Sequence, residues 1–202
     1  MNTLRKNTPK RTCAKKYRNY RRYKKYLKKD FHGRCGYCND EDIWCGGTKV
    51  FHIDHFAPWK RFEVSHPAIK TDYINLVYAC PYCNCFKSDD WVSNSPFINI
   101  IQDKGYIDPC DVLYDSIFTR TNIGEILPMT KTAEYMYEKL GLGLDRHSLI
   151  WQMEKLLEQR EELENLIRNP QVDSDIKQAL KQQKELVTDE FFPILKMFFQ
   201  SL

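Results

Sequence analysis

Tyr73-Ile-Asn-Leu-Val-Tyr-Ala-Cys-Pro-Tyr-Cys-Asn-Cys-Phe-Lys87 is the stretch of this 202-residue chain that decides its fold. Its first half is an apolar run rich in β-favouring residues and reads as a strand. Pro81 then falls at a natural first helical position, so a helix is predicted to start there. On that helix Asn84 and Lys87 share a face, and Cys83 is rotated by about 100° from Asn84. Cys80-Pro-Tyr-Cys83 is matched upstream by Cys35-Gly-Tyr-Cys38, with 41 residues between the two pairs. A single Cys-x2-Cys is weak evidence, because redox motifs share it. Two of them in one short segment point to four thiolates around a structural zinc, which prefers a closed tetrahedron. Such a clip stabilises a segment of about 50 residues that has little core of its own. Cys45 and Cys85 fit neither pair and read as ordinary small thiols.

Between the pairs runs Lys49-Val-Phe-His-Ile-Asp-His-Phe-Ala-Pro58, a second strand that carries Asp54 and His55 and stops at Pro58. In a regular strand these two side chains leave on opposite faces, so their convergence calls for a local twist or bulge. His52 shares the face of Asp54, as an extra ligand or as a packed histidine.

The order Cys-x2-Cys, Asp-His-x2-Pro, Asn-Leu, Cys-x2-Cys-Asn-x2-Lys resembles the zinc-stapled branch of the HNH endonucleases over roughly residues 30–90. The resemblance implies an α+β fold, a small ββα-metal finger with structural zinc. It also implies that Asp54 and Asn84 hold a catalytic divalent ion, that His55 is the general base and that Asn75 braces the loop between the strands. The helix residue is often His in that family, and Asn84 makes this an HNN variant. An amide oxygen suits a hard ion such as Mg²⁺ or Mn²⁺ better than zinc. Lys87 is expected to touch a phosphate as a point charge. The alternative is a zinc-clamped module that grips nucleic acid without cutting it.

The charge is unevenly placed. Residues 1–34 hold fourteen Lys or Arg against one acid, Asp30, a net +13, and the remaining 168 residues carry a net −9. Arg18, Arg21, Arg22 and Lys25 are therefore expected to face phosphates, gaining affinity from counterion release. Tyr17, Tyr20, Tyr23, Leu27 and Phe31 recur at helical steps and read as the packing side of a helix from about 13 to 31.

The organisation expected is a basic flexible arm over residues 1–12, the HNH domain with its preceding basic helix over 13–91, an irregular connection over 92–130 and a helical region over 131–202. Within that last region helices are predicted at 131–140, at about 146–168, from 173 or 174 to about 187, and from 188 or 189 onward. The region from Tyr106-Ile-Asp-Pro through Gly124-Glu-Ile to Lys139-Leu-Gly-Leu resembles the extension of bacterial HNH proteins of phage-defence systems, some paired with an ATPase. That resemblance raises a protein partner for the apolar tail Phe191–Leu202, against the plainer expectation that the tail packs on its own helices. No run nears the roughly 18 apolar residues that cross a bilayer, and no apolar segment follows the N-terminal bases, so no membrane and a cytoplasmic location are expected. DNA is favoured over RNA by the resemblance alone.

Overall fold

A computed structural model describes residues 2–201. It divides into two units: one holds the described residues up to Asn122 with Ile126–Gly143, the other Ile123–Glu125 with the described residues from Leu144. The first unit runs β1 (Asn2–Thr3), α1 (Lys24–Asp30), β2 (His52–His55), β3 (Leu76–Ala79), α2 (Pro81–Lys87), β4 (Ile100–Ile101), β5 (Lys104–Gly105), β6 (Phe118–Arg120), β7 (Ile126–Pro128) and α3 (Lys131–Lys139). The second unit holds α4 (Asp145–Arg168) and α5 (Ser174–Gln200). No helix among the described residues is long and apolar enough to cross a membrane.

The expected α+β finger is present as β2, β3 and α2. The two strands pair antiparallel one for one, His52 with Ala79, Ile53 with Tyr78, Asp54 with Val77 and His55 with Leu76. All four β3 residues are buried, which explains their unbroken apolar run. Pro81 sits in the first turn of α2, and the Cys80 sulfur accepts the Cys83 N–H at 3.4 Å, so one zinc-type cysteine also caps the helix.

The stretch expected to be a flexible arm is paired and packed along the first unit over residues 2–12; Met1 lies outside the described residues. Asn2 and Thr3 pair with Arg120 and Thr119 of β6, and Leu4 is buried in the core. Arg5 is buried, ion-paired with Asp115, and donates to Pro109 O at 2.6 Å. Arg11 pairs with Asp108 at 2.9 Å and donates to Leu76 O at 2.8 Å. The bases that suggest a loose polycation thus have acidic partners about a hundred residues away, beyond the reach of local sequence reasoning.

The basic helix is shorter than its pattern. A 3₁₀ turn over Tyr20–Tyr23, capped by the Asn19 side chain, leads into α1. Before it the chain is non-helical, because side chains replace the helical ladder: Thr12 is held by Asp30, and the Tyr23 hydroxyl accepts from Tyr17 N–H and donates to Lys15 O. Tyr23, Leu27 and Phe31 are buried, so the stripe is packing over this part. Gly33, at φ 71°, closes α1 by donating to Lys28 O.

The segment expected to be irregular, 92–130, contains two short hairpins, β4 with β5 and β6 with β7. Their strands of two or three residues are too short to show a period. In the second unit α4 and α5 form a helical hairpin in which Lys184 meets Glu164 at 2.9 Å and the Arg146 guanidinium stands 5.8 Å from the Phe198 ring. The break expected near residue 188 is absent; α5 runs through it and through Pro193. No glycine or proline lies at 187–189, and the Thr188 hydroxyl bonds Lys184 O inside the helix. In the tail Phe198 is buried, whereas Phe192 and Phe199 are mostly exposed; Leu202 lies outside the described residues.

Candidate active site and metal centre

Cys35, Cys38, Cys80 and Cys83 are all buried, with their sulfurs within 4.8 Å of one another. Cys38 Sγ and Cys80 Sγ are 3.8 Å apart. A zinc–thiolate bond of about 2.3 Å in a tetrahedron puts sulfurs roughly 3.8 Å apart, so the donor set fits zinc in both chemistry and spacing. Four thiolates in one buried spot repel one another, so all four ionise together only against a cation. Burial and the other sulfurs push Cys38 well above the ordinary thiol range, burial with Cys35 and Cys80 does the same for Cys83, and hydrogen bonds from its three neighbours outweigh burial and carry Cys35 well below it. Of the other cysteines, Cys45 is half-buried and Cys85 exposed, outside the cluster.

The backbone of the first cysteine knuckle is held carbonyl by carbonyl. Gly36 O accepts from Arg5 at 3.3 Å, Tyr37 O from the Tyr114 hydroxyl at 2.8 Å and Cys38 O from Arg120 at 2.9 Å. Gly36 N–H donates to Tyr78 O of β3 at 2.8 Å. This approach requires glycine, since a Cβ at 36 would lie 2.7 Å from Phe31 and 2.8 Å from Val77.

Asp54 and His55 leave β2 with separate partners. The register across β2 and β3 holds no bulge, so the convergence that sequence reasoning looked for does not come from one. The Asp54 carboxylate accepts from the Tyr37 hydroxyl at 2.5 Å and meets Lys87 Nζ at 3.1 Å. Burial and then the Asp54 charge push the Tyr37 phenol well above its usual range, so the proton stays on Tyr37 and the phenol donates.

Lys87 does not face a phosphate. It is completely buried, and its ammonium also donates to His55 O at 3.0 Å. The reason is local: Lys87 lies on the α2 face turned toward β2, where Asp54 offers the counter-charge that a buried amine requires. Asn84, one turn earlier on the same face, is half-buried. Lys87→Met is expected to cost about 3–5 kcal/mol in urea unfolding without divalent ions, because Asp54 is left buried and unpaired. Combining it with Asp54→Asn should recover most of that loss, and a double variant no better than the single would contradict the pairing.

His55 is buried, and its Nε2 lies 2.9 Å from Lys70 O. A carbonyl only accepts, so Nε2 carries the proton and the Nδ1 lone pair is left free. Burial lowers the His55 pKa below its ordinary value, opposed by the Lys70 carbonyl and the Asp54 charge, which favours the neutral ring. Tyr20 packs edge-on against the imidazole at 4.8 Å, and Trp59, whose face is covered by Lys70 Nζ at 3.8 Å, stands 6.2 Å away.

Asn75 Oδ1 accepts from Ala57 N–H at 2.8 Å, while Nδ2 donates to Ala57 O at 3.0 Å and Ile69 O at 3.1 Å. One amide thereby ties the exit of β2 to the residue before Lys70, whose carbonyl orients His55. His52 is exposed, as are Arg18, Arg21, Arg22 and Lys25. Arg22 lies over the Tyr17 ring at 4.5 Å and Lys25 over Tyr26 at 5.1 Å, which stiffens part of this cationic surface. Sequence reasoning missed Tyr37 and Tyr20 as neighbours of the site. The position of Tyr37 inside a cysteine pair was the available signal, and for Tyr20 the stripe gave only packing.

Residues 35–90, from Cys35 of the clamp to just past α2, match the family model described as HNH endonuclease, so the chain carries an HNH domain over this stretch. No curated protein and no solved structure matches the chain.

Proposed function

We propose that this HNH domain is a metal-dependent endonuclease that hydrolyses phosphodiester bonds of nucleic acid, DNA in the first instance. The observation that carries the reading is the buried His55 ring with Nε2 2.9 Å from Lys70 O, a geometry that puts the proton on Nε2 and leaves the Nδ1 lone pair to act as the base. That is the state a general base needs. His55 Nδ1 takes a proton from water as the water oxygen bonds to phosphorus, the bond from phosphorus to the leaving 3′-oxygen breaks, and that oxygen collects a proton from solvent. Asp54 and Asn84 offer hard oxygen donors that fit a Mg²⁺ or Mn²⁺ ion. Such an ion, when bound, supplies positive charge to the scissile phosphate and the leaving oxygen. Asn75 keeps the loop that orients His55 in place, and Arg18, Arg21, Arg22 and Lys25 grip the backbone away from the reacting phosphate.

A binding module that does not cut is the alternative. Lys87 already sits on Asp54 as a resident cation, as in a module that binds without cutting. Relaxation of supercoiled plasmid by zinc-replete protein separates the two. Nicking in Mg²⁺ or Mn²⁺ that stops with EDTA supports the nuclease. Asp54→Asn should lower the rate by at least about tenfold, since even partners behind a metal ligand cost about 10–100-fold. Plasmid bound but uncut under every metal would leave the binding module.

A further inference from the structure

Tyr37 lies inside one cysteine knuckle, and its side chain reaches the Asp54 carboxylate of the other chemical centre. We propose that Tyr37 is a positioning residue that couples the zinc clamp to the divalent-ion site, its hydroxyl fixing the Asp54 carboxylate; the idea rests on the reading of Asp54 as an ion ligand.

Tyr37 is completely buried and lies between Cys35 and Cys38, so zinc on those two sulfurs clamps its backbone from both sides. The remaining freedom is taken up by donors on three successive carbonyls, from Arg5, Tyr114 and Arg120. A phenol on so constrained a backbone holds its hydroxyl in one place, and that place is 2.5 Å from Asp54 Oδ2. Packing alone requires only the ring. The hydroxyl adds a directed bond to the carboxylate, and outer-sphere bonds of that kind orient metal ligands and strengthen the site. Lys87 Nζ stands across the same carboxylate, 3.1 Å from Oδ2 and 3.3 Å from Oδ1, so the orientation of the carboxylate decides which oxygen an incoming ion can take. Zinc therefore acts on the reaction centre through one side chain, in addition to holding the fold.

The test is Tyr37→Phe in the full zinc-replete chain, with Mn²⁺ binding followed by electron paramagnetic resonance and zinc by elemental analysis. The expected result is unchanged zinc content and Mn²⁺ binding weaker by about 10–100-fold. Unchanged Mn²⁺ affinity at full zinc content overturns the proposal, while plasmid nicking judges the nuclease reading separately. Wild-type protein that binds no Mn²⁺ overturns both this inference and the ion assignment. Should Tyr37→Phe fail to fold, Tyr114→Phe, which frees the Tyr37 carbonyl, takes its place. A several-fold loss of Mn²⁺ affinity is then expected, and none would count against the coupling.

Discussion

Cys80→Ser is expected to cost the protein its zinc and, with it, the fold of the first unit. Binding of structural zinc is worth about 10–16 kcal/mol in small finger peptides, against about 5–15 kcal/mol for the stability of a whole domain. Here the clamp joins the turn before β2 to the start of α2. It also fixes the helix N-terminus, because the Cys80 sulfur is the cap. Serine offers a hydroxyl to the cap but no thiolate to the metal, so capping survives and coordination does not. Elemental analysis should give one zinc per wild-type chain and less in the variant, and the far-ultraviolet thermal transition should broaden or vanish. A variant that melts like wild type would show that the core around Leu27, Leu76 and Tyr78 suffices on its own.

His55→Ala is expected to lower the nicking rate by about 10²–10⁴-fold, the range that general-base catalysis contributes. The loss should fall on the chemical step. Arg18, Arg21, Arg22 and Lys25 are untouched, so plasmid affinity in a gel-shift assay without divalent ions should change little. Truncating a buried ring beside Tyr20 also opens a cavity, so melting temperatures must accompany the rates. A variant that stays folded, binds plasmid and cuts as fast as wild type would remove His55 from the mechanism.

Local spacing carried what was legible in the sequence. Two Cys-x2-Cys pairs, the Asp-His pair before Pro58 and the helix opened by Pro81 are each readable within a few residues, and the ββα unit stands where they indicate. Long-range pairing was not legible. Arg5 and Arg11 read as solvated bases until Asp115 and Asp108 are seen beside them. Lys87 reads as a surface cation because its helical position is visible and its partner on β2 is not. The hydroxyl of Tyr37 is a tertiary contact within a motif, which spacing cannot disclose. The length of α5 was misjudged because propensity near residue 188 is ambiguous, and packing on α4 overrides it.

Crystals grown with Mn²⁺ and measured for anomalous scattering test the central claim most directly. The account predicts a zinc peak at the four sulfurs and a separate manganese peak bonded to oxygens of Asp54 and Asn84, beside His55. A zinc peak alone, with Lys87 still seated on Asp54 at saturating Mn²⁺, would contradict it.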